Sequence, residues 1–489
     1  MTQRLYYFFT IVWLSISFQS LSAKDWKTTE QGIIGDGKTL NTPAIQKTID
    51  RMAGRGGGRL VFTPGIYLTG SIQLRSNVEL HLEDGAVLLG SDNPADYQPL
   101  DVETAGNDTR NDNSRLALIL AHRVSNIALT GQGTIDGNGL QLALNIDSLH
   151  HAGVRIDPHY NNKRKRPGET ARPKLFFMAN CQEVRVDGLH LRNSACWGLS
   201  FDQCRRLTLT HLDILNRAYW NNDGIDLTDC QQVRVSHCRI NSADDGICLK
   251  SYHADDECRD VVVSHCTVTS SASAVKFGTA SWGGFRNVTI DSIFVKDTFR
   301  SAIAIESVDG AVIDSIRVTH VRAVNTGNPL FIRLGHRAGE RPGSISNIFI
   351  SDLYAEVPFG RPDIDYDLRG PEVDFFHNPF PSVISGIPGH RIRNLTITHA
   401  DITYPGRATK GMAYVPLGRV EEIPEEIGKY PEFTMFGELP SWGFFIRHVE
   451  GLRFEDVNIR TAEPDFRPPY VMVNVEGKYQ SEGVVEKRR

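Results

Sequence analysis

The chain repeats itself, and that repeat limits the folds open to it more than any other feature. Four near-identical phrases open on cysteine: Cys181-Gln-Glu-Val-Arg-Val, Cys204-Arg-Arg-Leu-Thr-Leu, Cys230-Gln-Gln-Val-Arg-Val and Cys258-Arg-Asp-Val-Val-Val, at spacings of 23, 26 and 28. The same phrase without cysteine begins at Phe285, Ile313, Ile345 and Ile392, and upstream at Arg75 and Val124. Each alternates apolar and polar residues, the period of a strand with one buried face. A second register runs between them: Trp197-Gly-Leu-Ser-Phe, Asp223-Gly-Ile-Asp-Leu, Asp245-Gly-Ile-Cys-Leu, Ser273-Ala-Val-Lys-Phe, Ser301-Ala-Ile-Ala-Ile and Leu330-Phe-Ile-Arg-Leu. A unit of 22 to 29 residues with at least two strands cannot bury a core alone, but stacked units cover one another. The sequence predicts an all-β chain, a single-stranded right-handed parallel β-helix. The leucine-rich phrase is absent, and propeller repeats are longer, at about 40 residues.

The ends suit a solenoid. The run from Asn41 to Asp50, with Asn41 or Thr42 as cap and Pro43 in the first turn, predicts a helix that closes the bottom of the core. Before it, Arg4, the apolar run Leu5–Phe18 and the small residues before Lys24 read as a signal peptide, cut after Ala23 or Ser22. The expected organisation is a signal over 1–23 and one β-helical domain over 24–489, exported to the periplasm or secreted. No later segment is apolar enough for a membrane anchor. Lys and Arg number 53 against 58 Asp and Glu, a net charge of −5, which gives no basic excess for nucleic acid. The cysteine spacing equals a coil, so buried free thiols stacked at one core position are expected. Coils about 4.8 Å apart also permit disulfides. No Cys-x-x-Cys occurs, so no metal site is expected.

Asp223 and Asp245 open equivalent strands one coil apart, with Asp244 beside Asp245. Three carboxylates at one edge raise each other's pKa, which suits one acid and one or two bases for glycosidic hydrolysis. An isolated Asp-Gly is ordinary turn chemistry. It is the alignment across coils and the third Asp that point to catalysis.

Asn221-Asn222-Asp223-Gly224-Ile225-Asp226 and Asp244-Asp245-Gly246-Ile247-Cys248-Leu249-Lys250 resemble two signature motifs of glycoside hydrolase family 28, the polygalacturonases and their relatives. The openings Gly35-Asp36-Gly37-Lys38-Thr39 and Gly65-Ile66-Tyr67-Leu68-Thr69 look like that family too, here as an exported bacterial member. The resemblance implies single-displacement hydrolysis with inversion, with Asp244 as general acid and Asp223 and Asp245 holding the attacking water. It implies a pectic polysaccharide or oligosaccharide as substrate and no cofactor. A monomer is expected. Two departures bear on the substrate: Ser273 stands where the family often has His, and Phe331-Ile332-Arg333 replaces an Arg-Ile-Lys motif.

Candidate substrate-binding residues are Asn221, Lys276, Arg333, Ser273, Trp220, Trp282 and His336. Lys276 and Arg333 read as sharing one strand position with Asp226 and Cys248, where either cation suits a uronate carboxylate. Trp220 and Trp282 suit stacking on sugar rings. The non-repeating stretches 355–390 and 404–444 break the solenoid, and long irregular loops are usually functional. They are expected to fold over one end of the groove and leave a pocket for a chain end. Phe375, Phe376, Tyr430, Phe433 and Trp442 would be its apolar walls, and Arg369 would meet a carboxylate. The expected activity is exo-acting release of α-linked galacturonic acid. Alternatives are a rhamnogalacturonan hydrolase or rhamnosidase-type activity, and a pectate-lyase-like enzyme, which chelator sensitivity and an ultraviolet-absorbing product would reveal. A non-catalytic binding β-helix would turn over no glycan.

Overall fold

The computed structural model describes residues 24–102, 113–360, 362, 380–411, 419–479 and 484–487. The expected signal at 1–23 and Arg369, Phe375 and Phe376 lie outside these residues. Among the described residues the strands, from Asp25 to Lys487, pair in parallel from coil to coil and form a right-handed parallel β-helix.

Each coil contributes to three sheets. The first holds the repeated phrases: Gln182 pairs with Arg205, Arg205 with Gln231 and Gln231 with Arg259, and Cys258 with Phe285, Phe285 with Ile313 and Ile313 with Ile345. Inside it stack Val184, Leu207, Val233, Val261, Val288, Ile316, Ile348 and Leu395, all buried. All eight cysteines are buried free thiols, four of them forming the expected column. The third residue of each phrase takes a left-handed conformation: Asn77, Asn126, Glu183, Arg206, Gln232, Asp260, Asn287, Ser315, Asn347 and Asn394 all have φ between 52° and 63°. Asn tolerates that region best among residues with a side chain, which explains why half of these positions are Asn.

The second sheet is built from short strands such as Thr134–Asp136, His190–Arg192 and Asp213–Asn216. Runs of three or four residues are too brief to show an alternation. The third sheet carries the second register and aligns Leu199, Ile225, Ile247, Val275 and Ile303. Helix α1 (Thr42–Ala53) buries Ile45, Ile49 and Met52 against the N-terminal coils, as expected of a cap. A second helix, α2 (Gly139–His151), was not foreseen; it follows the strand Thr134–Asp136 and buries Leu142 and Ile146. No helix among the described residues is long and apolar enough to cross a membrane.

The third sheet corrects one alignment. Leu330 pairs with Ile303 and Phe331 with Ala304, two residues from the expected alignment, in a ladder whose register shifts by one residue between Thr298 and Ser301. The column through Asp226, Cys248, Lys276 and Ala304 therefore continues to Phe331, and Arg333 pairs with Glu306 instead.

Candidate active site

The Asp-Gly pairs owe their glycine to stacking rather than to a turn. Neither Gly224 nor Gly246 adopts a left-handed backbone. A Cβ on Gly224 would lie 2.4 Å from the Gly246 carbonyl oxygen, and one on Gly246 would lie 2.7 Å from that of Ala274. Side chains are excluded where the coils press together, and the adjacent aspartates are held in line. The Gly224 N–H donates to the Asp245 carbonyl at 2.9 Å, and the Gly246 N–H to that of Ser273 at 2.8 Å. Asn222 is buried and donates to the Ser194 and Cys196 carbonyls, while its own carbonyl accepts the Asp244 N–H.

Asp223, Asp226 and Asp245 are buried, whereas Asp244 is partly exposed. Lys250 Nζ lies 3.5 Å from Asp223 Oδ2 and 3.2 Å from Asp226 Oδ1. Lys276 Nζ lies 3.0 Å from Asp245 Oδ2, and Asp245 Oδ1 accepts the Ser273 N–H at 3.1 Å. Burial, then Asp226, pushes the Asp223 carboxyl well above the usual carboxylate range despite Lys250. Burial acts against the charge on Asp245 too, but Lys276, Lys250 and Arg300 outweigh it and hold that carboxyl below its ordinary value. Neighbouring carboxylates on one edge are thus driven apart, one toward carrying a proton and one toward ionisation.

The predicted binding residues scatter. Lys276 is at the site, and Ser273 acts there through its backbone. Asn221 has its side-chain oxygen taken by Arg172 Nη2 at 2.8 Å. Trp220 is half-buried under Arg166, whose Cζ lies 4.2 Å from the ring centroid. Trp282 follows the end of the strand Val275–Ser281, away from the edge that carries the aspartates. His336 lies beyond that end too, its N–H bonded to the Ile427 carbonyl. Arg333 is fully buried; it donates to Ser385 Oγ at 2.8 Å and to the Glu425 and Glu426 carbonyls at 2.7 and 3.0 Å. It anchors the insert rather than meeting a sugar.

The insert over 419–443 reaches the carboxylates. Tyr430 Oη is 3.4 Å from Lys276 Nζ, and Glu432 Oε2 is 2.8 Å from Arg300 Nε. Phe433 and Trp442 are not pocket walls. Phe433 packs with Phe380, Phe331 and Phe445 beneath the insert, and Trp442 packs on the main core near Tyr404. Sequence reasoning missed Lys250, Arg300, Glu306 and Glu432. Lys250 alone carried a signal, since it falls two residues after Cys248 on the same side of the alternation.

Glu306 accepts a hydrogen bond from Thr279 Oγ1 at 3.2 Å. Burial pushes its carboxyl up to about 8, against the pull of Lys276 and with the help of Asp245 and Glu432. A raised carboxyl contributes stability below the unfolded pKa of about 4.3 and loses it as pH climbs to the folded value. Glu306→Gln is therefore expected to melt several degrees above the parent at about pH 8 and level with it near pH 4. Equal melting temperatures at both would mean that the buried carboxyl carries no proton.

A family model, Glycosyl hydrolases family 28, matches residues 99–354, more than half of the chain. A Vitis vinifera protein described as "Probable polygalacturonase" is 29% identical over 348 residues, 70% of this chain and 62% of that protein. An "Exo-poly-alpha-D-galacturonosidase" of Dickeya chrysanthemi is 28% identical over 249 residues, 45% of this chain and 40% of that protein. The chain thus spans less than two thirds of the length of either relative. The solved family 28 exopolygalacturonase of Yersinia enterocolitica superposes with a TM-score of 0.64 at 18% identity, over 94% of this chain and 79% of that one. The exopolygalacturonase of Thermotoga maritima gives 0.61 at 21% identity, over 78% and 87%. At these identities the two structures speak to the fold.

Proposed function

The chain belongs to glycosyl hydrolases family 28, and from that premise we propose that it is an exo-acting, inverting glycoside hydrolase that removes α-linked galacturonic acid from the end of a pectic polysaccharide or oligosaccharide. Asp244, the partly exposed carboxyl of the three, gives its proton to the glycosidic oxygen. Water is held between Asp223 and Asp245. Asp245, kept ionised by Lys276, accepts the proton as the water attacks the anomeric carbon from the opposite face.

The exo assignment rests on one observation. The insert seats Tyr430 at Lys276 and Glu432 on Arg300, in the two coils that follow Asp245, and so walls one end of the groove. The name of the Dickeya chrysanthemi relative points the same way. Proton NMR of the first turnovers is expected to show an inverted anomer, with monosaccharide as the early product and slow viscosity loss on polygalacturonate. A retained anomer sinks the single displacement, and a rapid fall in viscosity sinks the pocket.

One observation favours a second reading, in which the terminal sugar is neutral as in a rhamnosidase-type enzyme. Lys276, Lys250 and Arg300 each already face a carboxylate. Release of rhamnose rather than galacturonic acid from rhamnogalacturonan oligosaccharides decides for it. We also propose export: the secreted protein should begin at Ala23 or Lys24, and an intact N-terminus would refute it.

A further inference from the structure

The sheet that carries the catalytic aspartates at one edge has a second polar cluster at the other. Strands Leu199–Asp202, Ile225–Thr228 and Ile247–Ser251 lie side by side in three successive coils. Asp223 and Asp245 stand before the second and third of these strands, whereas Asp202, Asp229 and His253 stand at or just past the ends of all three. The three residues are 27 and 24 positions apart, one coil each. The strand Ile225–Thr228, about 13 Å of rise, separates Asp229 from the catalytic edge, so the two groups of carboxylates are distinct.

One carboxylate oxygen each from Asp202 and Asp229 and one ring nitrogen of His253 lie within 4.8 Å of one another. His253 Nε2 is 3.3 Å from Asp202 Oδ1. Asp229 is 1% exposed, and its two oxygens differ. Oδ2 accepts the N–H groups of Tyr252 and His253 at 2.9 and 3.0 Å, which folds the end of the third strand back over the carboxylate. Oδ1 is sealed from solvent and accepts no hydrogen bond. A bare ionised oxygen in the interior is costly, and a bound cation removes that cost. Among the described residues neither carboxylate pairs with a Lys or Arg within 4.0 Å. Asp256, in the same loop as His253, is already committed to the side-chain amides of Gln203 and Gln231 at 3.1 and 2.9 Å.

We propose that Asp202, Asp229 and His253 form a site for a divalent transition ion of the zinc class, which ties three successive coils together. Two carboxylates supply the charge that such an ion balances. One imidazole nitrogen among oxygen ligands suits it better than calcium or magnesium, which take oxygen alone. Ligand atoms sit about 2.1 Å from zinc, so the three side chains close by about an ångström around it. Asp202 and His253 are partly exposed, which gives the ion a way in and leaves room for water as a fourth ligand. No cysteine takes part, which is why the cysteine spacing carries no sign of the site.

The test is zinc binding to the whole chain after chelation and dialysis. By titration calorimetry the parent is expected to take up one equivalent of Zn²⁺. At a hundredfold excess over Kd it should melt about 2–3 °C higher, a small shift because the chain is long. Asp229→Asn and His253→Ala should each lose both effects. The second changes a partly exposed side chain, and it decides the matter if the first does not fold. Asp244→Asn should bind zinc as the parent does, which separates this site from the catalytic carboxylates. Calcium at the same concentration should give no shift. A plain His253–Asp202 ion pair predicts no zinc-dependent change in the parent, and that result overturns the proposal. So do zinc uptake that survives in His253→Ala, loss of uptake in Asp244→Asn, and an equal shift with calcium.

Discussion

Asp244→Asn is expected to lower kcat by about 10²- to 10⁴-fold, the contribution usual for a positioned general acid. The substitution keeps shape and removes the ionisable proton. Asp244 is fixed by its backbone: its N–H meets the Asn222 carbonyl, and its carbonyl accepts the Ser242 and Ser270 hydroxyls at 2.8 and 2.6 Å. Its Oδ1 accepts the Asp245 N–H at 3.1 Å, a bond that an amide oxygen retains. The variant should therefore fold as the parent does and lose the chemical step. A substrate whose leaving group needs no protonation separates the roles, because activity on it should fall far less. Asp245→Asn should spare neither substrate, since both need the attacking water. Equal losses of Asp244→Asn on good and poor leaving groups would move the acid elsewhere.

Two kinds of information sat in the sequence with unequal clarity. The coil spacing was readable because one core column repeats: Cys181, Cys204, Cys230 and Cys258 are followed by Phe285, Ile313 and Ile345 in the same register. The aspartate set was readable for the same reason, since Asp223 and Asp245 precede strands whose cores align. Arg333 was misplaced because alternation has a period of two. A slip of two residues keeps every side chain on its face, so Leu330-Phe-Ile-Arg-Leu fits equally well in either register. The ladder pairs residues 28 apart up to Thr298 and 27 apart from Ser301 onward, where the sequence alignment has 29, and nothing in the sequence marks that change. Glu306 and Glu432 were invisible because their environments are made by distant segments. Tyr430 lies 154 residues from Lys276 along the chain, and no local period reports such a contact.

Arg333→Met is expected to open the insert while leaving the β-helix folded, and so to change what the enzyme releases. The insert is tied down by two buried guanidinium groups. Arg333 holds the Glu425 and Glu426 carbonyls, and Arg447 holds those of Ile423 and Pro424 at 3.2 and 2.7 Å. Both also reach Ser385 Oγ. Methionine fills much of the same volume but donates nothing. Hydrogen bonds to charged groups contribute about 1.5–3 kcal/mol each, so losing this pair weakens the closed insert by several kcal/mol before compensation by water. The coils beneath lose little, because Ile332 and Leu334 still face the core. With Tyr430 and Glu432 displaced, the groove becomes open at both ends. On polygalacturonate the product should shift from monosaccharide to a spread of internal fragments with rapid viscosity loss, and kcat/KM on digalacturonate should fall about 10- to 100-fold. Limited proteolysis provides the control: cleavage within 419–443 shows that the insert has been released. Cleavage there with monosaccharide still the sole product would mean that the insert does not close the groove, and the exo reading would lose its support.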